Sequence, residues 1–171
     1  MDLKNKVVLL TGASSGIGYS LAKSLPKENC SLALLSRRKN ILDDLVSELK
    51  SKGLKIFSYK CDVGNIDEVR NTFEQIKQDF GKIDIAILNA GASHRVDVNG
   101  YSSKIAKEIF EANTLGIINC VEHLLPDFIQ GKEGMIVGVS SLADARGFPK
   151  SGFIMQVNLL QAYCWRVSGL N

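Results

Sequence analysis

A glycine-rich turn near the start of the chain constrains the fold more than any other feature of the sequence. It reads Thr-Gly-Ala-Ser-Ser-Gly-Ile-Gly at residues 11–18 and follows an apolar run at residues 7–10. The apolar run predicts a strand buried on both faces, and residues 19–25 predict a helix that stops at Pro26. The sequence therefore opens with a buried strand, a tight turn and a helix.

A turn of this kind between a strand and a helix is suited to binding the pyrophosphate of a dinucleotide. Glycines let the backbone approach the phosphates, and the free N–H groups and dipole of the helix N-terminus favour an anion. The same turn also occurs as an ordinary strand–helix connection, but its place in the first strand–helix unit favours binding. The candidate pyrophosphate residues are Gly12, Ser14, Ser15, Gly16, Ile17 and Gly18.

The rest of the chain continues to alternate apolar strands with amphipathic helices. Strands are predicted at residues 31–36, 54–59, 83–88 and 134–139, and helices at 41–49, 67–80 and 101–130, with Asn40 as an N-cap. This alternation predicts an α/β, Rossmann-like, doubly wound parallel sheet of order 3-2-1-4-5. The 171 residues fit a single domain, in which a ligand binds at the carboxyl ends of the strands.

Composition excludes several other classes of protein. The net charge of +3 is small and dispersed, which argues against nucleic acid, and no apolar run is long enough to span a membrane. The first six residues lead directly into a strand without the pattern of a signal peptide. Four widely spaced cysteines favour reduced thiols over disulfides or a metal site. We expect a cytoplasmic protein.

The residues that end the second predicted strand bear on the choice of cofactor. Arg37 and Arg38 follow Ser36, at the position where an acidic residue would bind the 2′-hydroxyl of NAD. A guanidinium can pair with a 2′-phosphate, so the sequence favours NADP over NAD. The alternative is an exposed basic turn, an interpretation that suits Arg38 better than Arg37.

Three further polar features each have two interpretations. Asp62, followed by Val63 after the third strand, could accept a hydrogen bond from an adenine amino group or could cap the next helix. His94 lies in a polar loop and could move a proton or simply be exposed. Tyr19 and Lys23 are spaced as an acid–base pair, but on the first helix they are expected to be an exposed surface pair.

Taken together, these motifs resemble the short-chain dehydrogenases/reductases over about residues 4–153. The glycine turn matches the cofactor turn of that family, and Asp62 matches its adenine-contacting aspartate. The resemblance also assigns Asn89, Ala90 and Gly91 to the segment beside the cofactor, Asn113 to the catalytic asparagine and Ser141 to the catalytic serine.

The resemblance implies hydride transfer between a nicotinamide ring and a small carbonyl or alcohol substrate. In the family, the serine binds the carbonyl oxygen, a tyrosine transfers the proton, a lysine four residues later lowers the pKa of that tyrosine, and the asparagine fixes a relay water. The family also uses the helix at 101–130 and the next helix as a dimer face, which allows a homo-oligomer.

The chain departs from the family where the proton-transfer pair is expected. It has Ile154 and Asn158 in place of the tyrosine and the lysine, so we expect catalysis to be absent or severely impaired. The family continues with two more strands, so this chain resembles a C-terminally truncated member in which the fifth strand is an exposed edge. A non-catalytic nucleotide-binding module and a frameshifted gene product are the alternatives.

The frameshift hypothesis concerns residues 154–160 and 165–171. Both stretches can be encoded so that one shifted frame reads Tyr-Ala-Ser-Lys-Ser-Ala and Glu-Ser-Leu-Arg-Val-Glu, which is what the family carries there. The nucleotide sequence tests this hypothesis, since codons that cannot be reread in the shifted frame exclude it.

Overall fold

A parallel sheet with strand order 3-2-1-4-5 lies at the centre of the protein, as the alternation of strands and helices predicts. The computed structural model describes residues 2–49, 53–94, 100, 102–140 and 165–168, the last four through their backbone alone. The strands are β1 (Val7–Thr11), β2 (Ser31–Ser36), β3 (Ile56–Lys60), β4 (Ile85–Leu88), β5 (Glu133–Gly138) and β6 (Trp165–Ser168). The helices are α1 (Gly16–Ser24), α2 (Lys39–Leu49), α3 (Ile66–Phe80), α4 (Ser103–Phe110) and α5 (Gly116–Gly131).

The central strand β1 is buried on both faces, which explains why its sequence is a continuous apolar run. Leu9 lies opposite Ala33 of β2 on one side and Ala86 of β4 on the other, and all three pack towards α3 and α5. The alternate residues Val8 and Leu10 point to the opposite face, where α1 and α2 pack. Each strand thus contributes to two hydrophobic layers.

Two helix starts differ from the sequence expectation. Helix α2 begins at Lys39, so Asn40 lies inside the helix and is not its N-cap. Helix α3 is capped by Asn65, whose side-chain oxygen accepts the backbone N–H groups of Asp67 and Glu68 at 3.0 and 3.2 Å. The interpretation of Asp62 as the cap of this helix is therefore wrong.

The long helix predicted over residues 101–130 contains a widened π turn. Helix α4 leads into this turn at Glu111–Leu115, and α5 continues from it to Gly131. The turn contains Asn113, which the family resemblance assigns to the catalytic asparagine. Single π turns inside α-helices occur frequently at functional sites. No helix within the described ranges has both the length and the apolar character needed to cross a membrane.

The outer edge of β5 also differs from the expectation. Strand β6 pairs with it in the antiparallel direction, with Glu133 opposite Ser168 and Ile136 opposite Trp165. The prediction that β5 forms an exposed edge is therefore wrong over Glu133–Ile136. A short strand at this edge covers backbone groups that would otherwise be free to pair with another chain.

A buried carboxylate joins three segments at the end of the sheet opposite the glycine turn. Asp84, just before β4, accepts the backbone N–H of Val7 at 2.8 Å and pairs with the ammonium groups of Lys82 at 2.7 Å and Lys6 at 3.5 Å. Burial opposes ionisation of Asp84, but the hydrogen bonds from Lys82 and Val7 and both lysine charges outweigh it, so the pKa is lower than usual. Ionised Asp84 thus fixes the start of β1 beside β4.

Replacing Asp84 should lower the stability of the protein and change its response to acid. Asp84→Ala removes a charged acceptor and leaves the Val7 N–H without it, so we expect a loss of about 1.5–3 kcal/mol in the free energy of unfolding near pH 7. Because the folded-state pKa is depressed, the contribution is present above the ordinary value of 3.8 and is lost as pH falls below it.

Urea denaturation at a series of pH values measures both effects. Glu133→Gln is the control, since it removes an exposed partner of Lys6 and should cause little change. An Asp84→Ala variant as stable as the wild type at pH 7 would contradict the assignment.

Candidate functional site

A cleft of about 410 Å³ lies at the carboxyl ends of the parallel strands, where sequence analysis expects a ligand. This volume falls within the usual range for small-molecule sites. Most of the predicted cofactor residues line it: Gly12, Ser14, Ser15, Ile17, Arg37, Arg38, Asp62, Val63, Asn89, Ala90 and Gly91. Leu35, Ser36, Cys61 and Ala112 also line the cleft and were not predicted.

The floor of the cleft is held together by contacts between the ends of β1 and β4. The buried hydroxyl of Thr11 accepts the backbone N–H groups of Asn89 and Ala90, both at 3.0 Å. In return, the side-chain amide of Asn89 donates to the backbone oxygens of Thr11 at 3.2 Å and Gly12 at 3.4 Å. The Asn89–Gly91 segment is thereby fixed beside the glycine turn.

Two glycines of the turn allow these segments to approach closely. A Cβ atom on Gly18 would lie 2.4 Å from the Gly12 oxygen and 2.5 Å from the Asn89 amide nitrogen. A Cβ atom on Gly12 would lie 2.7 Å from the Cα of Ala90. The turn therefore packs against β4 only because both positions lack a side chain.

The N-terminus of α1 faces the cleft without a side-chain cap. Ser15 is the N-cap residue, but its side chain makes no capping hydrogen bond, in contrast to Asn65 at the start of α3. Ser15 and Ile17 line the cleft, whereas Gly16 between them and Gly18 do not. The uncapped backbone N–H groups at the start of α1 fit the pyrophosphate of a dinucleotide.

The guanidinium of Arg38 lies against the glycine turn. Its Nε and Nη2 atoms donate to the Ser14 hydroxyl at 3.1 and 3.0 Å, and Nη2 also donates to the Ser15 hydroxyl at 2.7 Å. The hydroxyl of Ser36 accepts the backbone N–H of Arg38 at 2.9 Å and so orients the chain after β2. Arg38 is exposed, as the alternative interpretation expects, and its guanidinium also contacts the glycine turn.

Arg37 is the second arginine beside the cleft. Its side chain is 70% exposed, and Nη1 lies 3.9 Å from Oδ2 of Asp62 across the mouth of the cleft. Asp62 and Val63 lie just after β3 and line the same cleft. The cleft therefore has two cations and one carboxylate at the end where β2 and β3 stop.

Asn113 lies behind the cleft, in the π turn. Its side-chain oxygen accepts the Ala92 N–H at 2.6 Å, and its amide donates to the Ala92 oxygen at 3.0 Å. It does not line the cleft itself, but it fixes the chain that follows Gly91. Ser141, the other predicted catalytic residue, lies outside the described residues, as do Ile154 and Asn158.

Tyr19, Lys23 and His94, the other residues considered for proton transfer, do not line the cleft. The Lys23 ammonium sits 4.9 Å from the centre of the Tyr19 ring and pairs with Glu48 of α2 at 2.8 Å, so this pair connects two helices away from the cleft. His94 lies 3.9 Å from the Glu108 carboxylate and is about half exposed.

The sequence alone gives little indication that Thr11 supports the cleft or that Cys61 lines it. A polar residue at the end of an apolar strand was the signal for Thr11, but its two backbone partners come from a segment 78 residues away. Cys61 is buried, and desolvation raises the pKa of its thiol to about 11, although a hydrogen bond with Thr72 opposes the shift. The thiol therefore contributes a neutral wall to the cleft.

Comparisons with known proteins agree with this architecture. A family model described as short chain dehydrogenase matches residues 6–152. An uncharacterized oxidoreductase of Listeria monocytogenes is 32% identical over 149 residues, which are 87% of this chain and 60% of the relative. The chain thus spans about 60% of the length of this relative.

Solved structures give the same result. An alcohol dehydrogenase of the archaeon Thermococcus sibiricus, complexed with 5-hydroxy-NADP, is 27% identical with a TM-score of 0.85 and covers 91% of this chain and 66% of that one. A xylitol dehydrogenase with bound NAD+ is 29% identical with a TM-score of 0.86 and covers 92% of this chain and 61% of that one.

The contact between Thr11 and β4 should make a measurable contribution to stability. Thr11→Val keeps the shape of the side chain but leaves two backbone N–H groups without their acceptor, so we expect a loss of about 1–3 kcal/mol in the free energy of unfolding. Thr114→Val is the matched control, because within the described residues the buried Thr114 hydroxyl has no hydrogen-bond partner. Chemical denaturation should show little change for it, and equal effects of the two substitutions would contradict the assignment.

Proposed function

Because the chain belongs to the short-chain dehydrogenase family, we propose that its cleft binds a nicotinamide dinucleotide and prefers NADP. The observation that carries the preference is the guanidinium of Arg38 beside the hydroxyls of Ser14 and Ser15. Three hydrogen-bonding groups from two segments converge there on the end of the cleft formed by β2. A 2′-phosphate carries the charge and the acceptor oxygens that such a group recognises.

The other parts of the cleft support the same orientation of the cofactor. The uncapped start of α1 would hold the pyrophosphate, and the Asp62–Val63 segment would contact the adenine. The segment Asn89–Gly91, fixed by Thr11, would support the nicotinamide half. In this orientation the dinucleotide crosses the sheet at the point where the strand order reverses, between β1 and β4.

The reaction class that we propose is oxidoreduction of a small carbonyl or alcohol compound. The nicotinamide supplies hydride transfer when it is bound. Asn113 would hold the chain after Gly91 in position, and Ser141 would bind the carbonyl oxygen of the substrate. A Staphylococcus epidermidis protein named 3-oxoacyl-[acyl-carrier-protein] reductase, which supports this class, is 30% identical over 146 residues that are 85% of this chain and 60% of that protein.

Proton transfer is the step for which this chain has unsuitable residues. Ile154 carries no ionisable proton and Asn158 no charge, so they cannot replace the tyrosine and lysine of the family. A free phenol has a pKa near 10 and needs a nearby cation to act near neutral pH. The second candidate function, which these two residues favour, is a nucleotide-binding module without catalysis.

Cofactor preference can be measured by binding alone. We expect the wild-type chain to bind NADPH more tightly than NADH, and Arg38→Ala to weaken NADPH binding about tenfold to a hundredfold while leaving NADH nearly unchanged, because only the 2′-phosphate loses a charged donor. Isothermal titration calorimetry measures both dissociation constants.

Lys39→Ala is the matched control for Arg38→Ala. Lys39 is the adjacent cation, but its ammonium pairs with Asp43 at 2.7 Å on the surface of α2. Its removal should leave both dissociation constants unchanged. A wild type that binds NADH as tightly as NADPH, or an Arg38→Ala variant that weakens both equally, would refute the NADP preference.

We expect the protein to bind NADPH but to oxidise it very slowly or not at all. Loss of a general acid–base group lowers rates on the order of 10²–10⁴-fold, so we expect NADPH oxidation with simple ketones and aldehydes to be absent or reduced by at least that factor. Absorbance at the reduced nicotinamide band, measured with saturating NADPH, is the assay. Ordinary reductase turnover would show that another group transfers the proton.

A further inference from the structure

The side chain of Asn119 contacts the loop that follows β3. Asn119 lies on α5, one turn beyond the π turn, and its amide Nδ2 donates to the backbone oxygen of Val63 at 2.9 Å. Val63 and its neighbour Asp62 line the cleft, whereas Asn119 does not. The contact therefore reaches the cleft from behind, across 56 residues of sequence.

The peptide that joins Val63 to Gly64 receives a hydrogen bond on one side and donates one on the other. Its carbonyl oxygen accepts from Asn119, and its N–H group donates to Oδ1 of Asp62 at 3.0 Å. One rigid peptide plane thus connects the Asn119 amide to the Asp62 carboxylate. Because hydrogen bonds in series polarise one another, the donation from Asn119 strengthens the bond to Asp62.

The orientation of this peptide decides which carboxylate oxygen is available in the cleft. Oδ1 of Asp62 is held by the Gly64 N–H, while Oδ2 lies on the side of Arg37, 3.9 Å from its guanidinium. A rotated peptide would release Oδ1 and allow the carboxylate to turn. The acceptor that we assign to adenine therefore depends on a residue that lies outside the cleft.

Close packing against α5 restricts the same loop. A Cβ atom on Gly116 would lie 2.6 Å from Cγ2 of Val63 and 3.2 Å from its Cβ. On the other side of the peptide, a Cβ atom on Gly64 would lie 3.3 Å from the Glu111 oxygen in the π turn. The loop after β3 thus packs on the π turn and the first turn of α5. Its backbone is also held at Asp62, whose N–H donates to Glu68 at 2.9 Å, and the hydrogen bond from Asn119 fixes the next peptide.

We propose that Asn119 is a positioning residue for the adenosine half of the cofactor, acting through the Val63–Gly64 peptide on the carboxylate of Asp62. This inference rests on the proposed function, because it assumes that a nicotinamide dinucleotide occupies the cleft. The π turn and the first turn of α5 then contact both ends of the proposed binding site, the former through Asn113 at Ala92 and the latter through Gly116 and Asn119 at Val63.

Asn119→Asp tests the proposal, because it keeps the shape of the side chain and replaces the donor with an oxygen that repels the Val63 carbonyl. We expect about tenfold weaker binding of NADPH and of adenosine 2′,5′-bisphosphate, and no change for reduced nicotinamide mononucleotide. Isothermal titration calorimetry measures the three affinities. A residue with a merely structural role would not separate the two halves of the cofactor.

Asp127→Asn is the matched control on the same helix. It removes the 2.7 Å contact between Asp127 and Lys77 of α3 and leaves the loop after β3 untouched, so all three affinities should stay at the wild-type values. If Asn119→Asp binds the adenosine ligands as the wild type does, the proposal is wrong and the proposed function stands. If the wild type itself binds none of the three, the proposed function fails and this inference fails with it.

Gly116→Ala supplies an independent variant if Asn119→Asp does not fold. Its new methyl group would push Val63 away from α5, so adenosine 2′,5′-bisphosphate should bind about tenfold more weakly while the mononucleotide is unaffected. Combining it with Val63→Ala removes the clashing Cγ2 atom and should restore part of the affinity. Unchanged binding by Gly116→Ala would overturn the proposal that this loop must be held in place.

Discussion

The architecture of the cleft depends on the Thr11 hydroxyl at the end of the central strand. It accepts two backbone N–H groups from the segment after β4, and Asn89 donates back to the glycine turn. These bonds lie where the strand order reverses, a place where neighbouring crossovers depart to opposite faces and leave backbone groups unpaired. Without the Thr11 hydroxyl, two backbone N–H groups after β4 would lose their acceptor and the floor of the cleft would be less firmly held. The buried hydroxyl therefore substitutes for the sheet hydrogen bonds that stop at this edge.

Charged side chains have different kinds of partners at the two ends of the sheet. At the amino ends of the strands, Asp84 is surrounded by Lys6, Lys82 and a backbone N–H, so its charge is fully compensated within the protein. At the carboxyl ends, the hydrogen bonds of the Arg38 guanidinium within the described part of the chain go to neutral hydroxyls, and Arg37 lies 3.9 Å from the Asp62 carboxylate. The paired charge of Asp84 stabilises the fold, whereas the two arginines keep donors that an anion could use. This asymmetry supports the proposal that the dinucleotide binds at the carboxyl ends of the strands.

Residue patterns predicted the sheet order because each strand is a continuous apolar run between two helices. They also predicted most of the residues around the cleft, since these follow strand ends directly. They were wrong about the Asn40 and Asp62 caps, because Asn, Asp and Ser near a helix start are interchangeable in sequence and only the backbone shows which oxygen reaches the free N–H groups. The antiparallel β6 was equally beyond prediction, because its pairing with β5 is set by tertiary contacts. The sequence does not predict the π turn, because the helical spacing of apolar residues continues through it. The structure shows that the helix widens at Glu111–Leu115.

Cofactor binding and proton transfer are separable in this architecture because different segments provide them. The residues that would hold the dinucleotide all lie between Gly12 and Asn119, on strand ends and helix starts that the core fixes in place. The family places its acid–base pair beyond Ser141, at positions where this sequence has Ile154 and Asn158. Changes at those two positions remove no hydrogen bond from the Thr11–Asn89 contact and none from the peptide between Asn119 and Asp62. The proposed nucleotide binding therefore does not depend on the identity of the residues at positions 154 and 158.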